Sequence, residues 1–455
     1  MAHEFDNPAT DTRNLMFINY LTTVIHNSLR FRFILLTTIT CLIPIAGKTP
    51  EAADVILKKG DRVAIVGDSI TEQKLYSKFI ETYLLLSVPE LNLKVMQFGW
   101  SGERAPGLVN RIENDLIPWK PDVITTCYGM NDGRYRKYED SIGQTYRENM
   151  LKIVDRLKET GATVVVGSPG AVDTYTYERT ARQRLTTAAV YNENLAQLRD
   201  IAKSIAKEKD MPFADIHMAL MIAMKKAKAS YGETYHVAGR DGVHPRRNGH
   251  LVMAYGFLRA LGLGGQIGQI QIDWKGKTTA TNGHKVLASS RGTIEIESTR
   301  YPFCFSGEEK NPDGTISILP FVPFQDNLNR LVLSVENLPS KQATVKWGTD
   351  QKTFTRDQLS KGINLSAEFL NNPFCTPFFD IMDRVDNKQR YETAMIKRLI
   401  TNFRTLQQAF PEDEEVKNAM AILRPKLIYR PLQYLPKYLN TGHKPILSGA
   451  NLRSK

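Results

Sequence analysis

Residues 63–73 read VAIVGDSITEQ. A run of β-branched and small apolar residues stops at Gly67; an acid and a serine follow, and then a stretch with helical spacing. A strand that turns tightly into a helix is the repeating unit of parallel sheets. Ser69 followed three residues later by Glu72 is the pattern of a capping box, in which hydroxyl and carboxylate satisfy the orphan N–H groups of a helix start. The same geometry can hold a serine nucleophile at the top of a sheet. Both readings stay open on these eleven residues, so the rest of the chain has to separate them.

Working outward, strand and helix alternate from Asp61 to about Leu261. Apolar runs at Val63–Val66, Leu93–Phe98, Asp122–Tyr128, Thr163–Gly167 and Pro212–Asp215 read as strands. Between and after them, Thr71–Leu86, Ala105–Ile117, Tyr146–Thr160, Ala188–Lys207 and Asn248–Leu261 read as helices. Near-continuous apolar strands joined by helices imply a parallel sheet covered on both faces, an α/β fold. Ligands of such sheets bind outside the carboxyl ends of the strands. Gly67-Asp68-Ser69, Gly99–Gly102 and Gly129–Asp132 each follow a strand end, so all three should face one crevice.

After Gly262-Leu-Gly-Gly265 the pattern changes. Runs such as Thr293–Ser298, Arg330–Val335 and Ala343–Trp347, separated by Gly/Asn/Asp turns, read as a small antiparallel β unit over residues 266–365. From 366 to 455 the chain reads as a helical region, with helices at Tyr391–Ala409 and Glu414–Leu423 and a Pro- and Lys-rich tail. Residues 54–265 are the expected catalytic domain. Residues 1–53 form an extension in which Arg30, Arg32 and the run Phe33–Ala46 resemble a secretory signal. Export to the medium or periplasm is the expectation; a membrane anchor is the alternative, although the run is short for a span and Pro44 interrupts it.

The composition, 42% hydrophobic and 24% charged, is that of a globular protein. The net charge of +12 comes from scattered Lys and Arg with no basic–aromatic block, so a solvated basic surface is expected and no nucleic-acid partner. Of the four cysteines, Cys41 would leave with the signal and Cys127 lies in an apolar strand. Cys304 and Cys375 could pair in an oxidising compartment.

Three further segments carry polar chemistry: Gln97-Phe-Gly-Trp-Ser-Gly-Glu103, Tyr128-Gly-Met-Asn-Asp132 and Asp241-Gly-Val-His-Pro245. A serine hydroxyl attacks an acyl carbon only when an imidazole takes its proton, and that imidazole needs a carboxylate on its other nitrogen. Asp241 and His244, three residues apart in a turn, can supply both. The tetrahedral oxyanion needs preorganised donors. The Ser69 N–H, the Gly102 N–H and the Asn131 side-chain amide are suitable.

These segments, in this order, resemble the blocks of the GDSL/SGNH hydrolase family of esterases and lipases. The resemblance covers roughly residues 61–261. It gives Ser69 as nucleophile, His244 as base with Asp241 as its orienter, and Ser69, Gly102 and Asn131 as the oxyanion hole. It also implies a three-layer α/β/α flavodoxin-like sheet, hydrolysis through an acyl-serine, and no metal or cofactor. Ile70 stands where the family name has Leu, and Phe98 where many members have Asn. Among family branches, secreted esterases of acetylated carbohydrate look nearest; a lipid-directed esterase or thioesterase and a non-catalytic carbohydrate-binding protein are the alternatives. Asp68, Trp100, Asp132 and Tyr175 are candidate substrate contacts, and Trp100, Tyr128, Tyr135 and Tyr138 could form a sugar platform. The loop Ser168–Tyr177 should overhang the site. Asn131 and His244 also have plainer readings, as a turn cap and a surface loop residue. His217, His236 and His250, with Asp215 and Asp241, match no metal-ligand spacing.

Overall fold

The computed structural model describes residues 54–180, 186–281, 283–290, 292–429 and 446–454. The signal-like segment at about 30–47 lies outside them. The first sheet contains β1 (Arg62–Gly67), β2 (Lys94–Gly99), β3 (Val123–Cys127), β4 (Thr163–Gly167) and β5 (Phe213–Ala214) in the order β2-β1-β3-β4-β5, with every pairing parallel. This is the doubly wound order whose chain reverses direction between β1 and β3, and the carboxyl ends of those strands bound the expected crevice. β1, β3 and β4 are buried almost throughout, as runs such as VITTC and TVVVG require.

Most of the expected helices are present with shifted bounds. The first is broken: Ser69–Glu72 and Tyr76–Leu86 are separate, and Lys74 between them is left-handed at φ 62°. The helix read from Ala105 becomes π-helical at Ile112–Leu116 and 3₁₀ at Ile117–Trp119. The helix read from Tyr146 begins at Asp140. A helix at Ile216–Tyr231 escaped the reading, although Asp215 caps it by accepting the Met218 N–H at 3.0 Å.

The region after 265 is not wholly antiparallel. It forms a mixed sheet and an antiparallel one. In the mixed sheet, β6 (Gln266–Asp273) pairs parallel with β10 (Arg330–Glu336), and β7 (Thr278–Ala280) and β13 (Ile363–Asn364) lie at the edges. The antiparallel sheet runs β12-β11-β14-β9-β8, from β8 (His284–Ser290), β9 (Thr293–Ser298), β11 (Gln342–Trp347), β12 (Asp350–Thr355) and β14 (Ile446–Ser454). The last of these returns from the region read as helical. Alternation along β6 and β10 is real, but it marks a half-buried strand without revealing the direction of its neighbour.

The helix Cys375–Met395 explains an oddity of sequence. Tyr76–Leu86 is buried nearly all round yet contains Ser77, Lys78, Glu81 and Thr82. Three of these polar groups find partners on the later helix: Ser77 donates to Gln389 at 2.8 Å, Lys78 pairs with Asp386 at 2.8 Å, and Glu81 pairs with Lys388 at 2.8 Å. The same helix covers the open edge of β2. Lys388 Nζ donates to the Val95 carbonyl at 2.7 Å, and the Gln97 N–H donates to Glu392 at 3.1 Å. An edge strand's unpaired backbone groups are thus satisfied by side chains. Cys304 and Cys375 are free thiols close enough to hydrogen-bond. Among the described residues no helix is long and apolar enough to cross a membrane.

Candidate active site

The turn after β1 places Ser69 as the first residue of its helix. The capping box does not form. Asp68 is the N-cap, accepting the Ile70 N–H at 2.9 Å, which leaves the Ser69 hydroxyl free for another partner. That partner is His244, whose Nε2 lies 2.8 Å from Ser69 Oγ. On its other side His244 Nδ1 is 2.6 Å from Asp241 Oδ2. Asp241 Oδ1 accepts the backbone N–H groups of Val243 at 3.0 Å and His244 at 2.9 Å. Burial pushes the Asp241 carboxyl up, but the hydrogen bonds from the His244 ring and the two N–H groups outweigh it and hold the carboxyl well below its usual range. With Nδ1–H held by Asp241, Nε2 is left as the acceptor facing the serine hydroxyl.

Gly242 makes this short turn feasible. Its φ is +77°, and a Cβ there would fall 2.4 Å from the Tyr177 backbone. The loop Ser168–Tyr177 abuts the turn: Asp173 N–H donates to the Gly242 carbonyl at 2.9 Å, and Thr176 Oγ1 donates to the Gly239 carbonyl at 2.7 Å. Asp173 itself is fully buried against Lys228 at 3.2 Å. The loop expected to overhang the site therefore carries the histidine's turn, with Tyr175 half-buried beneath Arg179, whose Cζ is 3.7 Å from the ring centre.

On the opposite side, Trp100 and Glu103 close a turn, with the Glu103 N–H donating to the Trp100 carbonyl at 3.1 Å. Gly102 sits in it at φ +73° with open space where a Cβ would be. The requirement is conformational, since position i+2 of such a turn needs positive φ. Glu103 is buried and accepts Arg111 Nε and Nη2, each at 2.7 Å, and Tyr128 Oη at 2.6 Å. Asn131 Nδ2 donates to the Glu103 carbonyl at 3.0 Å, and Tyr135 Oη donates to Asn131 Oδ1 at 3.0 Å. The Glu103 carbonyl can only accept, and that fixes which end of the amide is the donor. Ser69, His244, Asp241, Asn131 and the Gly102 turn thus converge at the carboxyl ends of β1, β2 and β3.

Several expected substrate contacts have other roles. Asp132 is buried, its carboxylate accepting the Ala105 N–H at 2.9 Å and the Gly129 N–H at 3.0 Å. Burial pushes its pKa up to about 6 against those two bonds. Asp68 is also buried, and burial pushes it up to about 7 against the pull of the Ile70 N–H, with Asp132 and Glu103 adding to the rise. Both carboxylates build the loops that carry the site, so the expectation of substrate contact is corrected for them. Tyr128 is fully buried and belongs to the core, not to a sugar platform. Tyr138 packs half-buried against the apolar cluster that contains Phe98, Trp119 and Tyr146. Trp100 is half-buried, with Lys397 Nζ at 4.8 Å and Arg111 Cζ at 5.3 Å from its ring centre.

Among the described residues the other histidines form no ligand set. His250 is buried, its Nδ1 accepting the Tyr76 N–H at 3.2 Å and its Nε2 lying 2.9 Å from Gln73 Oε1, and burial holds its pKa down at about 3. His217 Nδ1 donates to the Gly170 carbonyl at 2.8 Å. Among the described residues no group of His, Cys, Asp and Glu could hold a metal ion. Sequence reasoning missed Tyr135 as the partner of Asn131, Arg111 as the partner of Glu103, and the real contacts of Glu72. No spacing rule flags such pairs.

The parallel sheet in the order β2-β1-β3-β4-β5 carries all of these loops at or beside its carboxyl ends. Over residues 65–252 the chain matches the GDSL-like lipase/acylhydrolase family. It is a carboxylic ester hydrolase. An acetylxylan esterase of Geobacillus stearothermophilus is 24% identical over 225 residues, which cover 45% of this chain and 94% of that protein. A structure described as a gut microbial diltiazem-metabolizing enzyme superposes with a TM-score of 0.64 at 21% identity, covering 84% of this chain and 91% of the other. That likeness extends the shared fold well beyond residues 65–252.

Proposed function

We propose that the chain hydrolyses small acyl esters, acetyl esters on carbohydrate first among them, through an acyl-enzyme on Ser69. The observation that carries the reading is the continuous chain Ser69 Oγ–His244 Nε2–Asp241, with links of 2.8 and 2.6 Å, at the mouth of the crevice. Ser69 attacks the ester carbonyl while His244 takes its proton. The tetrahedral oxyanion is held by the N–H groups of Ser69 and Gly102 and by Asn131 Nδ2. His244 then protonates the departing alcohol, and the cycle repeats with water as nucleophile to release the acid. The likeness to an acetylxylan esterase supports the acetyl and carbohydrate parts of the reading. Export rests on the sequence of residues 30–47 alone.

The test is hydrolysis of p-nitrophenyl esters from acetate to octanoate by wild type and Ser69→Ala, followed by acetate release from acetylated xylan and pectin. The expected result is a maximum at acetate and no activity above background for Ser69→Ala. Equal rates for the two proteins would overturn the nucleophile. A maximum at octanoate would replace the acetylesterase reading with a lipid-directed one.

A further inference from the structure

We propose that Lys397, far outside the matched segment, is a positioning residue for the oxyanion hole, acting through Glu72 on the Trp100–Gly102 turn. This inference rests on the serine-esterase reading above. Glu72 does not reach back to the start of its helix. Its Oε2 instead accepts the Ser101 N–H, and both of its oxygens lie 3.0 Å from Lys397 Nζ. One carboxylate therefore joins three parts of the chain: the helix that begins with Ser69, the turn that presents the Gly102 N–H, and the C-terminal segment. The pair is largely sheltered, with side-chain exposures of 28% for Lys397 and 21% for Glu72, so it is less screened than a surface ion pair.

The position of Lys397 is itself well determined. It follows the helix that covers the edge of β2, where Glu392 takes the Gln97 N–H at 3.1 Å and Thr393 Oγ1 accepts Gln97 Nε2 at 2.6 Å. At Ile396–Ile400 the backbone widens to a π-helix, a distortion that recurs at functional sites. Lys397 Nζ also lies 4.8 Å from the ring centre of Trp100, the first residue of the turn. Gly102 has open space where a side chain would pack, so its N–H direction depends on what fixes the residues beside it.

Deleting an oxyanion donor costs roughly 10²–10³ in kcat. Loosening one should cost less, on the order of tenfold. The experiment uses the full chain with p-nitrophenyl acetate and compares wild type, Lys397→Met, Lys397→Arg, Glu72→Gln and Lys397→Met/Glu72→Gln, beside Ser69→Ala. Expected are a kcat about tenfold lower for Lys397→Met, KM within about twofold, recovery of most of the loss in Lys397→Arg, and a double variant no worse than the poorer single one. An inactive Ser69→Ala together with a Lys397→Met kcat within twofold of wild type would overturn the positioning role while leaving the esterase reading intact. An additive double variant, or a loss of melting temperature that Lys397→Arg does not repair while kcat stays low, would also overturn it. Wild-type activity in Ser69→Ala would remove the reading beneath both.

Discussion

Replacing Asp241 by Asn separates two jobs that one carboxylate performs. Asp241 Oδ1 accepts the N–H groups of Val243 and His244 at 3.0 and 2.9 Å, and Oδ2 faces His244 Nδ1 at 2.6 Å. In Asp241→Asn the two backbone donors demand the amide oxygen at the Oδ1 position. The NH₂ group must then face Nδ1, which can only accept from it. The ring proton is driven to Nε2, and His244 loses the lone pair that takes the Ser69 proton. In serine triads this wrong tautomer lowers kcat by about 10⁴, about 5 kcal/mol of barrier. The turn itself should survive, because both backbone hydrogen bonds remain. We expect kcat on p-nitrophenyl acetate to fall by about 10⁴ in Asp241→Asn, with KM and melting temperature little changed. Asp241→Ala, which loses the turn's hydrogen bonds as well, should be no worse in kcat. If Asp241 served only to anchor the turn, the order would invert: Asp241→Asn would stay within tenfold of wild type and far above Asp241→Ala. That result would refute the tautomer argument.

Two stability measurements probe the buried charges around the site. Asp68 titrates near 7 in the fold against an ordinary 3.8, so the native state holds its proton more tightly than the unfolded chain and stability falls as pH rises through that window. The shift corresponds to roughly 4 kcal/mol at most. Asp68→Asn keeps a good N-cap and should lose less stability than wild type between pH 4.5 and 7.5 in urea melts; equal losses would count against the raised pKa. Asp132, raised to about 6, leaves a residual slope of the same sign. Separately, Lys388 is buried between Glu81 at 2.8 Å and Glu392 at 2.5 Å, so Lys388→Met should cost about 3–5 kcal/mol by stranding two carboxylates. A cost below about 1 kcal/mol would mean that the carboxylates discharge by taking up protons.

The sheet was legible because its signal is local: VAIV, VITTC and TVVVG are buried on both faces and can hardly be anything but central strands. Ser69 and His244, the proposed nucleophile and base, were legible only as separated motifs, since 175 positions divide them and only a topology or a family pattern joins them. Glu72 misled for the same physical reason. A Ser-x-x-Glu sequence does favour a capping box, but Asp68 beside it is an equally good cap and takes the position, and a lysine 325 positions away claims the carboxylate. The strand direction in the later sheets was hidden because alternation records which face is buried and says nothing of the partner.

The glycine turn and the C-terminal helix solve linked problems. An oxyanion donor on glycine can approach a substrate closely, but glycine brings the greatest backbone freedom, and a wandering donor preorganises nothing. The fold therefore restrains every neighbour of Gly102. Trp100 donates its N–H to the Gly67 carbonyl at 2.9 Å, Glu103 is locked in a buried pair with Arg111, and Ser101 is tied to Glu72. The first two restraints lie within the matched segment; the third depends on Lys397. The helix before Lys397 must lie along β2 in any case, because Val95 and Gln97 would otherwise present unpaired backbone groups at an open edge. Covering that edge carries the chain to within a lysine's reach of the turn, which is why a segment so distant in sequence can bear on the reacting atoms.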